Sequence, residues 1–298
     1  MSLSWRERWT YSIMTSNRIR IAADSVCDLP ADLAAALNVQ IIPTYVNVDG
    51  LSIPDDGISL NRERFFRELP SMGTLPTTAA PSPGDAESFY RALLDDGATH
   101  IVSIHVPANL SGTLNAMRLG AEAVGEDKVT LVDSLQLTFG IGFQVWAAAE
   151  LAAAGAPLEV ILDAIERVRR HTRVYAIIDT MDYLRRSGRV NALVASIGGL
   201  LKIKPIVSVG DGDVSSIARL RTWSRAERRL ASLTDDQKPL ERLAVLHIAN
   251  RRGAENYLEK IRDLAPSDTL VIETTPTLGT HIGPGSIGVA TLNANWRR

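Results

Sequence analysis

The chain is short of several things, and each shortage excludes a class of protein. Cys27 is alone among 298 residues, so no disulfide can close within the chain, and a reducing, cytoplasmic setting is expected. No run of residues is long and apolar enough to span a bilayer. Neither sign of charge prevails: 32 Lys and Arg stand against 34 Asp and Glu, a net charge of −2. That balance gives no bulk attraction to nucleic acid or to an anionic membrane. The Walker Gly-Lys-Ser/Thr, the Gly-x-Ser-x-Gly and the His-Glu-x-x-His patterns are all missing. Residues 1–17 hold three charged residues and no apolar run, so they read as a tail and not as a signal peptide. Trp5 and Trp9 in that tail have the spacing of one helix face.

What is present describes an ordinary globular protein. Hydrophobic residues make up 45% and charged residues 22% of a chain long enough for two domains. Short β-branched runs alternate with helical stretches through residue 171. Strand candidates cover residues 20–23, 39–48, 99–106 and 128–132. Helix candidates cover residues 31–37, 61–69, 84–94, 138–153 and 158–171, and another runs from Ser111 to about Val124. Residues 70–83 contain four prolines, which exclude a helix and a central strand. Strands alternating with helices predict a parallel, Rossmann-like sheet covered on both faces, with ligands beyond the carboxyl ends of its strands. Asp24-Ser25, Ser111 and Asp133-Ser134 all follow strand candidates there and predict a shared polar rim.

Asn109-Leu110-Ser111-Gly112-Thr113-Leu114-Asn115-Ala116 joins a strand candidate to a helix candidate. Ser111 is placed to cap that helix or to sit in its first turn, and Gly112 admits a ligand close to the backbone. Free N–H groups and the helix dipole there suit a carboxylate or phosphate.

Beyond residue 171 the pattern changes. Strand candidates at 174–178, 204–209, 214–221, 243–248 and 269–273 mix a hairpin, turned at Asp211-Gly212-Asp213, with helices at 191–201, 224–233 and 253–264. This predicts an α+β domain over residues 171–298, after an α/β domain over residues 18–170. Thr280-His281-Ile282-Gly283-Pro284-Gly285 reads as a Gly/Pro turn carrying a histidine.

Several stretches together resemble one family, the DegV proteins. Asp24-Ser25-Val26-Cys27-Asp28-Leu29-Pro30 resembles the family's opening Asp-Ser-x-x-Asp-Leu-Pro. Thr77-Thr78-Ala79-Ala80-Pro81-Ser82-Pro83 resembles its Thr-Ser-Gln-Pro-Ser-Pro loop, with Ala79-Ala80 standing where the family has Ser-Gln. Leu110-Ser111-Gly112-Thr113 and Val132-Asp133-Ser134 are similar to its next two signatures. Ser187-Gly188-Arg189-Val190, Leu201-Lys202-Ile203-Lys204-Pro205-Ile206 and the Thr280–Gly285 turn complete the order, and the similarity runs from about residue 19 to 292.

The resemblance implies a two-domain protein that binds a long-chain fatty acid in a tunnel between or within its domains. It implies a carrier and not a catalyst, with no metal and no cofactor beyond the acyl ligand. Thr78 and Ser111, with Gly112, match the positions that hold the carboxylate. Arg221 and His281 match positions near the head group or the partner, and Asp24, Ser25, Asp133 and Ser134 are further candidates. The implied partner is a separate ATP-dependent fatty acid kinase. The apolar stretches 141–151 and 192–201 suit either tunnel walls or plain core.

Two other functions fit parts of the chain. A phosphotransferase or hydrolase would use Asp24, Asp133 and His281 as acid, base and nucleophile. A nucleic-acid-binding regulator would use Arg185, Arg186 and Arg189, or the arginines between 219 and 229. The net acidic balance and the lack of interleaved aromatics speak against the second.

Overall fold

The computed structural model describes residues 18–188 and 203–298. The expected tail at 1–17, the helix expected at 191–201, the proposed tunnel wall at 192–201, Lys202 and Arg189 lie outside the described residues. The chain is α/β, with a parallel sheet followed by a mixed sheet, as expected.

The first sheet holds β1 (Ile19–Asp24), β2 (Gln40–Ile42), β6 (His100–His105) and β7 (Val129–Asp133), in the order β2-β1-β6-β7 and all parallel. α1 (Ala31–Ala36) joins β1 to β2. α3 (Pro83–Asp95) and α4 (Thr113–Val124) cover one face, through Ala86, Tyr90, Met117 and Ala121 against Ile101 and Val129. α3 begins on a capping box, where Ser82 Oγ accepts from the Asp85 N–H and Asp85 accepts from the Ser82 N–H.

α5 (Phe139–Ala153) and α6 (Leu158–His171) cover the other face. α5 is apolar all round because a sheet lies on each side of it. Ile141, Val145 and Ala148 pack on the parallel sheet, while Phe139, Phe143 and Ala147 pack on the second. The stretch 141–151 is therefore core and not tunnel wall, since two sheets already claim both of its faces.

The second sheet has the order β10-β9-β8-β13-β11-β12. Its strands are β8 (Thr172–Ile177), β9 (Lys204–Gly210), β10 (Asp213–Leu220), β11 (Leu240–His247), β12 (Leu270–Glu273) and β13 (Ile287–Asn293). Only β11 and β12 run parallel. After the short α7 (Asp182–Arg186), α8 (Trp223–Asp235) and α9 (Arg251–Lys260) cover its outer face through Ala226, Leu230, Ala254 and Tyr257. Alternation along β8 feeds both sides: Val174 points toward α5 and Tyr175 toward α8. The layers thus run helix, sheet, helix, sheet, helix. The division expected after residue 170 falls at the last residue of α6, one residue before β8, so the middle helical layer lies before it.

The structure corrects three expectations. Residues 39–48 are not one strand. Pro43 has no N–H for a ladder, and the chain turns there out of the parallel sheet into β3 (Tyr45–Val48). β3 pairs with β4 (Leu51–Pro54) through a turn in which Asp49 and Gly50 both have positive φ. The proline loop 70–83 also supplies β5 (Thr77–Ala79), which pairs with the other side of β3. Prolines at 76 and 81 flank this three-residue strand, and it lies at the edge of its sheet, where proline is tolerated. Finally, the Gly/Pro segment with the histidine is half helix: Thr280, His281 and Ile282 close α10 (Pro276–Ile282), which carries His281 in its last turn, and only Gly283-Pro284-Gly285 lies outside it. β13, which follows it, lies between β8 and β11.

Among the described residues no helix is long and apolar enough to cross a membrane.

Candidate functional site

The carboxyl ends of β1 and β6 open onto a cavity of about 180 Å³. Val26, Val106 and the Leu110-Ser111-Gly112 turn line it from the parallel sheet. Thr44, Thr78, Ala79 and Ala80 line it from the small β4-β3-β5 sheet, and Thr277, Leu278, His281 and Ile282 from α10. Chain topology therefore brings Thr78, Ser111 and His281 to one space.

The polar side chains at this mouth are linked to one another. Thr78 Oγ1 lies 2.9 Å from His281 Nε2. Ser111 Oγ accepts from the Thr113 N–H at 3.2 Å and lies 2.8 Å from Thr113 Oγ1. Ser111 is thus not the cap of α4: Gly112 occupies that position, and the serine hydroxyl reaches one residue past it. Gly112 has ordinary helical angles, φ −70° and ψ −3°. An added Cβ there would meet no protein atom within 4 Å.

Sequence reasoning missed Thr44 and Thr277. Their hydroxyls lie 2.8 Å apart, and Thr44 Oγ1 lies 2.8 Å from Ser25 Oγ, which also accepts from the Thr44 N–H. The three buried hydroxyls form a continuous chain that starts on the cavity wall at Thr277 and Thr44 and runs back to Ser25. Ser25 is therefore one hydrogen bond away from the cavity and does not line it. The spacing Thr277–His281 was the available signal, because residues i and i+4 share a helix face once Pro276 is read as a helix start.

α10 is held by acids from distant segments. Asp28 Oδ1 accepts from the Thr275 N–H, and Asp55 Oδ2 from the Thr277 N–H, both at 2.8 Å. They satisfy two of the N–H groups that a helix start leaves open. Burial pushes the Asp28 carboxyl up to about 7, against the hydrogen bonds it accepts, and pushes Asp55 up as well. At the other end, Gly283 has φ +83°. A side chain there would collide with the Tyr183 ring. A side chain at Gly279 would collide with Phe66, so this glycine lets α10 sit against α2 (Arg62–Glu68).

The remaining sequence candidates lie elsewhere. Asp24 is fully buried: one oxygen accepts from the Val26 N–H, and the other meets His105 Nδ1 at 3.0 Å and the Val106 N–H at 2.9 Å. His105 Nε2 continues to Ser103 Oγ at 2.7 Å, and Ser103 to the Tyr90 hydroxyl at 3.0 Å. Asp24 thus shapes the entry to the Ser111 loop and does not reach the cavity. Asp133 accepts from the Leu135 and Ala108 N–H groups. Ser134 is buried and bonded to its own loop. Arg221 is exposed, just past β10, and does not line the cavity. Asp24, Asp133 and His281 are therefore not brought together as an acid–base–nucleophile set. The shared polar rim expected from the strand ends keeps Ser111 alone of its members. Asp24, Asp133 and Ser134 each bond the turn that follows their strand, while the Ser25 hydroxyl is taken by Thr44.

Next to the mouth lies a second space of about 60 Å³, walled by Val174, Ala176, Val207, Val209 and Leu246 of the mixed sheet. Leu137, Val214, Leu278 and Ile282 line both spaces. His247 borders the deeper one, and burial, aided by nearby Arg251, pushes its imidazole down to about 4, so it is neutral near pH 7. No group of three or more potential metal ligands occurs among the described residues.

A family described as uncharacterised DegV proteins matches residues 18–294. A DegV domain-containing protein of Deinococcus radiodurans is 33% identical over 276 residues, covering 91% of this chain and 97% of the relative. One of Mycobacterium tuberculosis is 31% identical over 276 residues, covering 90% and 95%. The solved structure of a DegV family protein from Thermus thermophilus, described by its fatty acid binding, superposes with a TM-score of 0.83 at 30% identity, covering 92% of this chain and 99% of the other. The solved DegV of Bacillus subtilis, described as a fatty acid binding protein, gives 0.83 at 26% identity, covering 93% and 100%.

Proposed function

The chain belongs to the DegV family, and from that premise we propose that it binds a long-chain fatty acid, carboxylate at the Thr78–Ser111–His281 mouth and tail in the apolar space beyond. One observation carries this: three polar residues far apart in the chain line one cavity, and that cavity adjoins a second whose walls are mainly valine, leucine and isoleucine. The fatty acid binding described for the Thermus thermophilus and Bacillus subtilis proteins supports it.

The energetics divide between tail and head. Burying one methylene contributes roughly 0.8 kcal/mol, so about fourteen contribute about 11 kcal/mol before ordering costs. The tail supplies most of the affinity. A carboxylate leaving water needs hydrogen-bond donors. If His281 Nε2–H donates to Thr78 Oγ1, the threonine hydroxyl is free to donate to the ligand. If Thr113 donates to Ser111, the serine hydroxyl is likewise free. His281 is then a positioning residue that sets which way Thr78 donates. The positive end of the α4 dipole favours an anion there, although the Ser111 and Thr113 N–H groups already donate to the Pro107 carbonyl and to Ser111 Oγ. Ala79 and Ala80 contribute only methyl groups where relatives offer hydroxyl and amide, so Thr44 and Thr277 are the nearest replacements on this wall.

We propose that the bound acid is presented to a separate ATP-dependent fatty acid kinase, which phosphorylates its carboxylate. Organic extraction and mass spectrometry of the purified protein test the binding. A bound long-chain acid, or uptake of added palmitate or oleate, is expected. Neither occurring would overturn it.

A further inference from the structure

We infer that Leu137 is the neck of the tunnel and sets how long an acyl chain the protein accepts; this rests on the fatty-acid reading above. Leu137, Val214, Leu278 and Ile282 stand between the mouth and the deeper space, touching both. Three of them come from regular elements, β10 and α10. Leu137 alone comes from a loop, and the loop is unusual.

Leu135 and Thr138, on either side of it, have φ of +51° and +50°. Both are left-handed positions without glycine, and Thr138 is β-branched, for which such a φ is an outlier. Strain of this kind persists where the surroundings over-determine it and marks functional sites. The surroundings here are explicit. Gln144 Nε2 donates to the Ser134 carbonyl at 3.0 Å, and the Gly212 N–H donates to the Leu135 carbonyl at 3.0 Å. Asn109 Nδ2 in turn holds the Gly212 carbonyl at 2.9 Å. The β9–β10 turn, the Ser111 loop and α5 thus clamp one short loop from three sides. A relaxed loop would let Leu137 fall back into the core, where its side chain already touches both hydrophobic clusters beside α5. Clamped, it projects between the two spaces and narrows the passage. The neck is rigid, so it discriminates by size and does not open and close.

The test is a competition between saturated fatty acids of 14, 16, 18 and 20 carbons for the purified protein, read by mass spectrometry of the bound fraction. Leu137→Ala removes three side-chain carbons, room for about two more methylenes. Each buried methylene changes affinity about fourfold, so the preferred chain should lengthen by about two carbons, with its ratio over the next shorter chain shifted about fifteenfold. Leu137→Phe should shift the preference to shorter chains. Val214→Ala should lengthen the preference as Leu137→Ala does, and it stands in if Leu137→Ala does not fold. A folded, loaded variant with an unchanged chain-length profile overturns the neck. Wild-type protein that takes up no fatty acid overturns the binding itself, which is a separate result.

Discussion

Asp28 ties the opening strand to the helix that carries His281, and it does so at a cost that depends on pH. Burial raises its carboxyl from an ordinary 3.8 to about 7. A carboxyl with a raised pKa binds its proton more tightly in the folded state than in the unfolded chain. Between pH 4 and pH 7 the folded protein therefore holds more proton at this site, and stability falls as pH rises. The contribution is fully present below about pH 4 and lost above about pH 7. Taking about 1.36 kcal/mol per unit of pKa, the gap between 3.8 and about 7 corresponds to about 4 kcal/mol across that window. Asp28→Asn removes the ionisation and keeps an acceptor for the Thr275 N–H. Asparagine also suits the φ of +52° at this position. Urea unfolding of both proteins at steps from pH 4.5 to pH 8 isolates the effect as a difference. Asp28→Asn should gain on wild type steadily as pH rises, by up to about 4 kcal/mol, and should hold His281 in place. Parallel curves over the whole range would refute the burial argument.

Three further outcomes are expected. Gly112→Ala should change the melting temperature little, because its backbone is ordinary and its Cβ meets open space, yet weaken palmitate binding measured by calorimetry; equal affinity would mean the ligand does not approach there. Gly283→Ala should cost more than about 2 kcal/mol in thermal unfolding, from a positive φ and a clash with Tyr183 together; a neutral result would place the end of α10 differently. The double change Thr78→Ala with Ser111→Ala should reduce acyl phosphate formation by an added fatty acid kinase far more than it reduces tail binding, and equal loss of both would contradict the division between tail and head.

Local patterns in the chain were legible where one element settles its own structure. The turn at Asp211-Gly212, the apolar run of α5 and the β-branched strands all follow from short-range chemistry. Thr78 and His281 came from motif resemblance, Ser111 also from its place between a strand and a helix, and all three line the mouth. Asp24, Ser25, Asp133 and Ser134 came partly from their place after strands, and none lines it. A carboxylate at a strand end has backbone N–H groups within two or three residues, and those amides claim it first. Asp24 and Asp133 show this at β1 and β7. Thr44 escaped notice because residues 39–48 read as one strand, although Pro43 in the middle was the sign of a break. Thr277 escaped because glycine and proline suggested a turn where a short helix forms.

The sequence alone determined the alternation of strands and helices up to residue 171, the parallel sheet with its covered faces, the change to a mixed sheet, and the family, but not β5, α10 or the central strand β13. Those properties depend on periodicity, caps and turns, which act over a few residues. Only the tertiary structure decided which polar groups meet. Thr78 and His281 are 203 positions apart, and Asp28 and Thr275 are 247 apart. No local propensity encodes such a pairing; it follows from how two sheets stack on a shared helical layer and where α10 comes to rest. The same stacking turned α5 into core and left the deeper space to be walled by the valines of the mixed sheet, because a helix buried on both faces has no side left to line a cavity.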